Sequence, residues 1–161
     1  MAVWQFKIAL IPKLWVDTGG AVLALFNAEG YEESSAAWVD FSNELLEERI
    51  GSLLPASKSW NSDLTCWGLD STNDIQLWCE HGKVQSLTIR FDLRSPNMTL
   101  FAAVADEAQN LRLAVLDLGA KQIIGAELAS LLRAAAESDA ARFTLDPCAF
   151  LRKETEDAKT T

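Results

Sequence analysis

The segment "NDIQLWCEHGKVQSLTIRFDLR", residues 73–94, constrains the fold more than any other stretch of the chain. Apolar residues fall on alternate positions to either side of a glycine-containing break: Ile75, Leu77 and Cys79 before it, Leu87, Ile89, Phe91 and Leu93 after it. Successive side chains of extended backbone point to opposite faces, so this period of two makes a pair of half-buried strands, and the break makes them a hairpin. A two-residue His81-Gly82 loop would set Leu77 against Ser86 and send the two apolar sets to opposite faces. A three-residue Glu80-His81-Gly82 loop, with Gly82 left-handed in a bulge, pairs Ile75 with Leu87 and keeps every apolar side chain on one face. The second register is expected, with Gln76, Trp78, Thr88, Arg90 and Asp92 on the opposite face.

The remaining elements follow from periodicity and punctuation. "VWQFKIALI" alternates Trp4, Phe6, Ile8 and Leu10 with Val3, Gln5 and Lys7, a half-buried strand ended by Pro12. A short helix is expected through Val22–Phe26. In "FSNELLEERIGSLLP", Ser42 is a candidate N-cap, and Leu45, Leu46, Ile50, Leu53 and Leu54 form one helical stripe ended by Pro55. "LTCWGL" reads as a strand with a turn at "DSTND". After Ser95 and Pro96, a helix presents Leu100, Phe101, Val104, Ala108 and Leu111. "RLAVLDL" reads as a buried strand ended by Gly119, "GAELASLLRAAAES" as a helix, and "LDPCAFLRKE" as the start of a last helix capped by Asp146. The expectation is a single α+β domain over residues 1–155, with residues 156–161 a frayed tail. Its sheet is mainly antiparallel around the central hairpin of about 73–94, with helices packed on one side.

Eleven of the 23 acids but only two of the 14 bases lie between Glu29 and Glu80, so that segment carries the whole net charge of −9. Such a surface repels phosphate backbones and anionic membranes and steers basic partners toward itself. Neither nucleic acid nor membrane is expected as a partner, and no apolar run approaches the roughly 20 residues needed to cross a bilayer. The N-terminal stretch lacks the features of a secretory signal. Three cysteines, Cys66, Cys79 and Cys148, are odd in number and form no CxxC, which fits a reducing cytoplasm.

Chemistry-bearing motifs are absent: the chain has no GxSxG, P-loop, GxGxxG, HExxH or EF-hand pattern. The one histidine, His81, falls at a hairpin tip where nothing excludes water, so it is read as a turn residue and not a general base. Asp63, Asp70 and Asp74 lack a calcium-loop spacing. No cofactor, no metal and no catalytic residue is expected. Arg90 and Asp92, two apart on a strand near Trp78 and Gln76, make a polar face that suits either solvent, with an ordinary ion pair, or a ligand. Among six tryptophans, Trp38 and Trp60 flank the acidic helix, and Trp78 lies opposite the apolar set of the hairpin.

The segments "WQFKIALIP", "SLLPASKSW", "NDIQLW", "IRFDLRS" and "LDPCAFL" resemble a group of small, acidic, uncharacterised bacterial proteins, some of which act as immunity partners of interbacterial toxins. The resemblance spans nearly the whole chain and transfers no site residue by residue. It implies a cytoplasmic, non-enzymatic binding protein that neutralises a basic toxin domain, a nuclease, by covering its active site. On that reading Glu44, Glu47, Glu48, Asp70, Asp74 and Glu80 steer the partner, with Trp38 and Trp78 as anchors. Two rival classes remain open at this point. One is a small-molecule-binding or enzymatic domain using the Trp78, Arg90 and Asp92 face, which a deep pocket bordered by those residues would favour. The other is a regulatory or structural subunit of a larger assembly.

Overall fold

In the computed structural model, which describes residues 2–42 and 44–159, the hairpin forms by a different device from the one expected. Strand β4 (Asp74–Glu80) turns into β5 (Lys83–Asp92) through a two-residue His81-Gly82 loop, with Glu80 opposite Lys83. Both loop residues have positive φ, 51° and 73°, the signature of a type I′ turn, whose twist matches that of the flanking strands. The register then shifts by one residue: Cys79 pairs with Val84, but Trp78 pairs with Ser86, leaving Gln85 as the extra residue of a bulge. Beyond it Leu77 faces Leu87 and Ile75 faces Ile89, so the apolar sets do share one face. The three-residue loop and the Ile75–Leu87 pairing are thus corrected. The offset that unites the faces comes from a bulge inside the sheet, where the buried Ser34 hydroxyl donates to the Gln85 carbonyl at 3.4 Å.

Among the described residues seven strands form one antiparallel sheet. With β1 (Gln5–Pro12), β2 (Ala56–Ser57), β3 (Leu64–Gly68), β6 (Leu113–Asp117) and β7 (Gln122–Ile124), the order is β2-β3-β4-β5-β1-β6-β7. Six helices complete a single α+β domain: α1 (Lys13–Asp17), α2 (Leu46–Gly51), α3 (Met98–Asn110), α4 (Leu128–Glu137), α5 (Asp139–Leu145) and α6 (Pro147–Lys159). The stretch Val22–Leu25 is a 3-10 turn, as is Ser34–Trp38.

The central position of β1, between β5 and β6, explains why it is more than half-buried. Ala9 and Ile11 are as inaccessible as Ile8 and Leu10 on the alternate face. On the hairpin's apolar face, Phe91 stacks on Phe6 at 6.1 Å and on Phe101 of α3 at 4.0 Å, which seats that helix on the middle of the sheet. Helix α2 comes down on Trp67 of β3 through Gly51, where an added Cβ would lie 2.7 Å from the indole nitrogen. That glycine ends the acidic helix where the sheet needs close approach.

Several boundaries differ from expectation for local reasons. Helix α2 starts at Leu46, with Leu45 as its N-cap and no side-chain cap; Ser42 lies outside it, and Asn43 falls outside the described residues. Helix α3 is capped by Asn97, whose Oδ1 accepts from the Leu100 N–H at 3.0 Å, and not by Ser95. Asp146 does cap the last helix, accepting from the Ala149 N–H at 2.9 Å. That helix runs on to Lys159, through part of the stretch read as a tail; Thr160 and Thr161 lie outside the described residues. Ser138 ends α4 and caps α5, its Oγ accepting from the Ala141 N–H at 3.2 Å. No described helix is long and apolar enough to cross a membrane.

Candidate functional site

Register places the charged residues of the sheet's polar face in rows. Lys7 of β1 lies beside Arg90 of β5, which lies beside Asp74 of β4; in the next row Gln5 lies beside Asp92. Arg90 grips Asp74 with two parallel bonds, Nε to Oδ1 at 2.5 Å and Nη2 to Oδ2, and Gln76 donates to the same carboxylate at 3.0 Å. Asp92 is held by Arg94 at 2.7 and 2.9 Å, and the Arg94 guanidinium lies 4.2 Å over the Trp4 ring while also reaching the Ser71 carbonyl. These bonds set the proton affinities. The Arg94 guanidinium holds the Asp92 carboxyl below its usual range, and the Asp74 carboxylate raises Arg90.

Asp74 and Asp92 are therefore structural. Asp74 is only 3% exposed, so it does not belong to a steering surface, and its charge is spent on Arg90. The cross-strand ion pair expected on this face is Arg90–Asp74, because Asp74 lies opposite Arg90 in the register, while Asp92 pairs with Arg94, two residues further along the chain. The two carboxylates of this face are thus each held by an arginine, whereas Lys7 has no acceptor among the described residues. Among the described residues no group of three or more histidines, cysteines and carboxylates stands close enough to hold a metal ion.

Trp38 is also corrected as an anchor. It is 3% exposed and sits edge-on against Phe41 at 4.8 Å, in the core. Trp78 is half-buried, its indole N–H donating to Glu80 at 3.0 Å and its ring lying 5.8 Å from that of Trp60. Trp60, by contrast, is 78% exposed. The outward aromatic at the hairpin end is Trp60, a residue noticed in the sequence only for flanking the acidic helix. Asp70 is exposed in the β3–β4 turn and Glu80 at the end of β4.

Glu44, Glu47 and Glu48 are the acids the fold brings together. All three are exposed, and with Gly51, Ser52 and Trp67 they line an open hollow of about 550 Å³. The nearest base in sequence, Arg49, turns away to pair with Glu107 of α3 at 3.0 Å. None of the three glutamates has a cationic partner among the described residues. Glu47 is close enough to Cys79 that, after burial, its charge helps push the thiol pKa up. The glutamates and Trp67 converge because Gly51 admits the indole; the sequence signal was present in that glycine but only the paired β3 strand gives it meaning.

A second hollow, of about 730 Å³, opens at the start of β1 between the 26–32 segment, the β6–β7 turn and helices α4 to α6. Neither hollow is bordered by Trp78, Arg90 or Asp92. Compared with protein-family models, curated proteins and solved structures, the chain has no match.

Proposed function

We propose that the chain is a non-enzymatic, immunity-type binding protein of the cytoplasm, which neutralises a basic toxin domain, a nuclease, by seating it on the acidic surface of α2. The observation that carries this reading is the trio Glu44, Glu47 and Glu48, exposed, without cationic partners, and set around a hollow lined by Trp67. Unpaired carboxylates of one sign at the start of a helix, Glu44 just before it and Glu47 and Glu48 in its first turn, attract a cationic surface over a Debye length and strengthen as the interface dries. The Arg49–Glu107 pair supports the reading, because it removes the one base that would neutralise the trio from within α2. Asp70 and Glu80, both exposed, add to the long-range field; Trp60 with Trp78 takes the anchoring role first given to Trp38 and Trp78.

The test is to search the neighbouring open reading frames for a basic toxin-like domain and to co-express the chain with it. Growth should be rescued, and the two chains should co-elute. Reversing Glu44, Glu47 and Glu48 to lysine together should then slow association by about ten- to a hundredfold at low salt and flatten its salt dependence, with dissociation little changed. Because all three side chains are exposed, the far-ultraviolet dichroism should stay that of the parent. Unchanged association rate and salt slope would remove α2 from the interface, and absence of rescue would remove the immunity reading itself.

A further inference from the structure

On the polar face of the sheet two cations stand side by side. Register puts Lys7 of β1 directly across from Arg90 of β5, and cross-strand partners share a face. Like charges so placed repel each other. The carboxylates nearby do not relieve Lys7. Asp74, one strand further on, is taken by Arg90 through Nε and Nη2, and Asp92, diagonal to Lys7, is taken by Arg94. Among the described residues neither the Lys7 ammonium nor Arg90 Nη1 has an acceptor. The other neighbours of Lys7 on this face are apolar: Ala9 along β1 and Leu116 across from it on β6, both fully buried. The face itself is open enough to admit a small molecule, since Lys7, Gln76, Thr88 and Arg90 are only half-buried.

An amine in this setting gives up its proton more readily than an ordinary lysine. Burial lowers the Lys7 pKa first and the Arg90 charge second, against a smaller pull from Asp74. An unprotonated amine beside a second cation is a nucleophile toward carbonyl carbon. Next to it, Arg90 Nη1 offers two N–H groups to an anion. A carbonyl for the amine and an adjacent carboxylate for the guanidinium are the two groups of a 2-oxo acid. We propose that Lys7 forms a reversible imine with a small 2-oxo acid whose carboxylate is held by Arg90 Nη1. Lys7 Nζ adds to the C2 carbonyl, and the carbinolamine then loses the carbonyl oxygen with the two amine protons as water. No electrons are exchanged with an oxidant or reductant, and water reverses the step.

The test is reductive trapping on the intact parent chain. With glyoxylate and cyanoborohydride near neutral pH, each imine is reduced to a stable carboxymethylamine, and peptide mapping by mass spectrometry measures the label at every lysine separately. Lys7 should be labelled at least about tenfold faster than Lys13, Lys58, Lys83 or Lys121, although those four are exposed and Lys7 is half-buried. With acetaldehyde, which has no carboxylate, the preference for Lys7 over those four should fall at least about threefold. Lys7→Arg keeps the positive charge, so it should lose the fast site while the slow labelling of the other lysines and the melting temperature stay those of the parent. Labelling of Lys7 no faster than that of the exposed lysines overturns the proposal. An equal preference for Lys7 with acetaldehyde overturns the assignment to a 2-oxo acid. None of these residues belongs to the α2 surface, so this outcome and that of the charge-reversal test are independent.

Discussion

Replacing Arg90 by methionine isolates a carboxylate that the fold has taken out of water. The Asp74 side chain is 4% exposed and that of Arg90 20%, and the two are joined by a bidentate bond across β4 and β5. Methionine keeps the packing of the arginine stem, so the loss is electrostatic. Removing one partner of a buried pair costs about 3–5 kcal/mol, because the remaining charge is left desolvated. Here the lower end is expected: Gln76 still donates to Asp74, and Lys7, next in the same row, is freed of the repulsion of Arg90. A loss of about 3 kcal/mol corresponds to a fall in melting temperature of about 6–12 °C for a chain of this size. Asp74→Asn alone should cost about 1 kcal/mol, and the double variant should be more stable than Arg90→Met alone. Urea denaturation of the four proteins closes the cycle, and a coupling energy of at least about 2 kcal/mol is expected. Adding Lys7→Met should worsen Arg90→Met while leaving the parent unharmed. If the double variant is destabilised by the sum of the singles, the pair contributes nothing as a pair, and the reasoning about the polar face fails.

Glu32 gives a pH-dependent prediction. Burial raises its folded pKa above the ordinary 4.5, so the folded state binds more protons across that window and stability falls as pH rises through it. Glu32→Gln should therefore raise the melting temperature near neutral pH, with the gain vanishing as pH falls below about 4.5; a gain independent of pH would contradict this. Asp92 acts oppositely, its depressed pKa giving stability that is present above the ordinary carboxylate range and lost on acidification below it. At the hairpin tip, His81 holds φ 51° in a turn that favours Asn-Gly, so His81→Asn should be neutral or stabilising by a few tenths of a kcal/mol and should leave partner binding intact. Gly82→Ala should cost about 1 kcal/mol for conformational reasons alone, since no atom lies within 4 Å of an added Cβ. Equal stability of that variant by urea denaturation would argue against a type I′ turn.

The hairpin shows where sequence reading succeeds and where it stops. Parity was legible, because one buried face forces odd positions of β4 to meet odd positions of β5. The register was not, because a loop bulge and an internal bulge restore the same parity with different partners. The deciding contact, Ser34 to the Gln85 carbonyl, joins residues 51 positions apart. Likewise β1 read as half-buried from its Lys7 and Gln5, since alternation reports side-chain polarity and not whether two strands will flank it. Strand β7 has only three residues, Gln122–Ile124, too few for a period to emerge.

Long-range pairing also decides which charges remain available for function, and it reorders the acids that look alike in sequence. Asp74 lies within the acidic third of the chain but opposite Arg90 in the sheet, so the fold converts it from surface charge into cross-strand fastener. Arg49 lies among the glutamates of α2 but reaches α3, so those glutamates keep their field. Lys7 loses the carboxylate that its row contains because Arg90, one strand closer, takes both oxygens. In each case a single strand register or helix contact determines whether a charge is neutralised inside the molecule or left for something outside it. The charges left unneutralised, Glu44, Glu47 and Glu48 around α2 and Lys7 on the polar face of the sheet, are of opposite sign and lie on different elements.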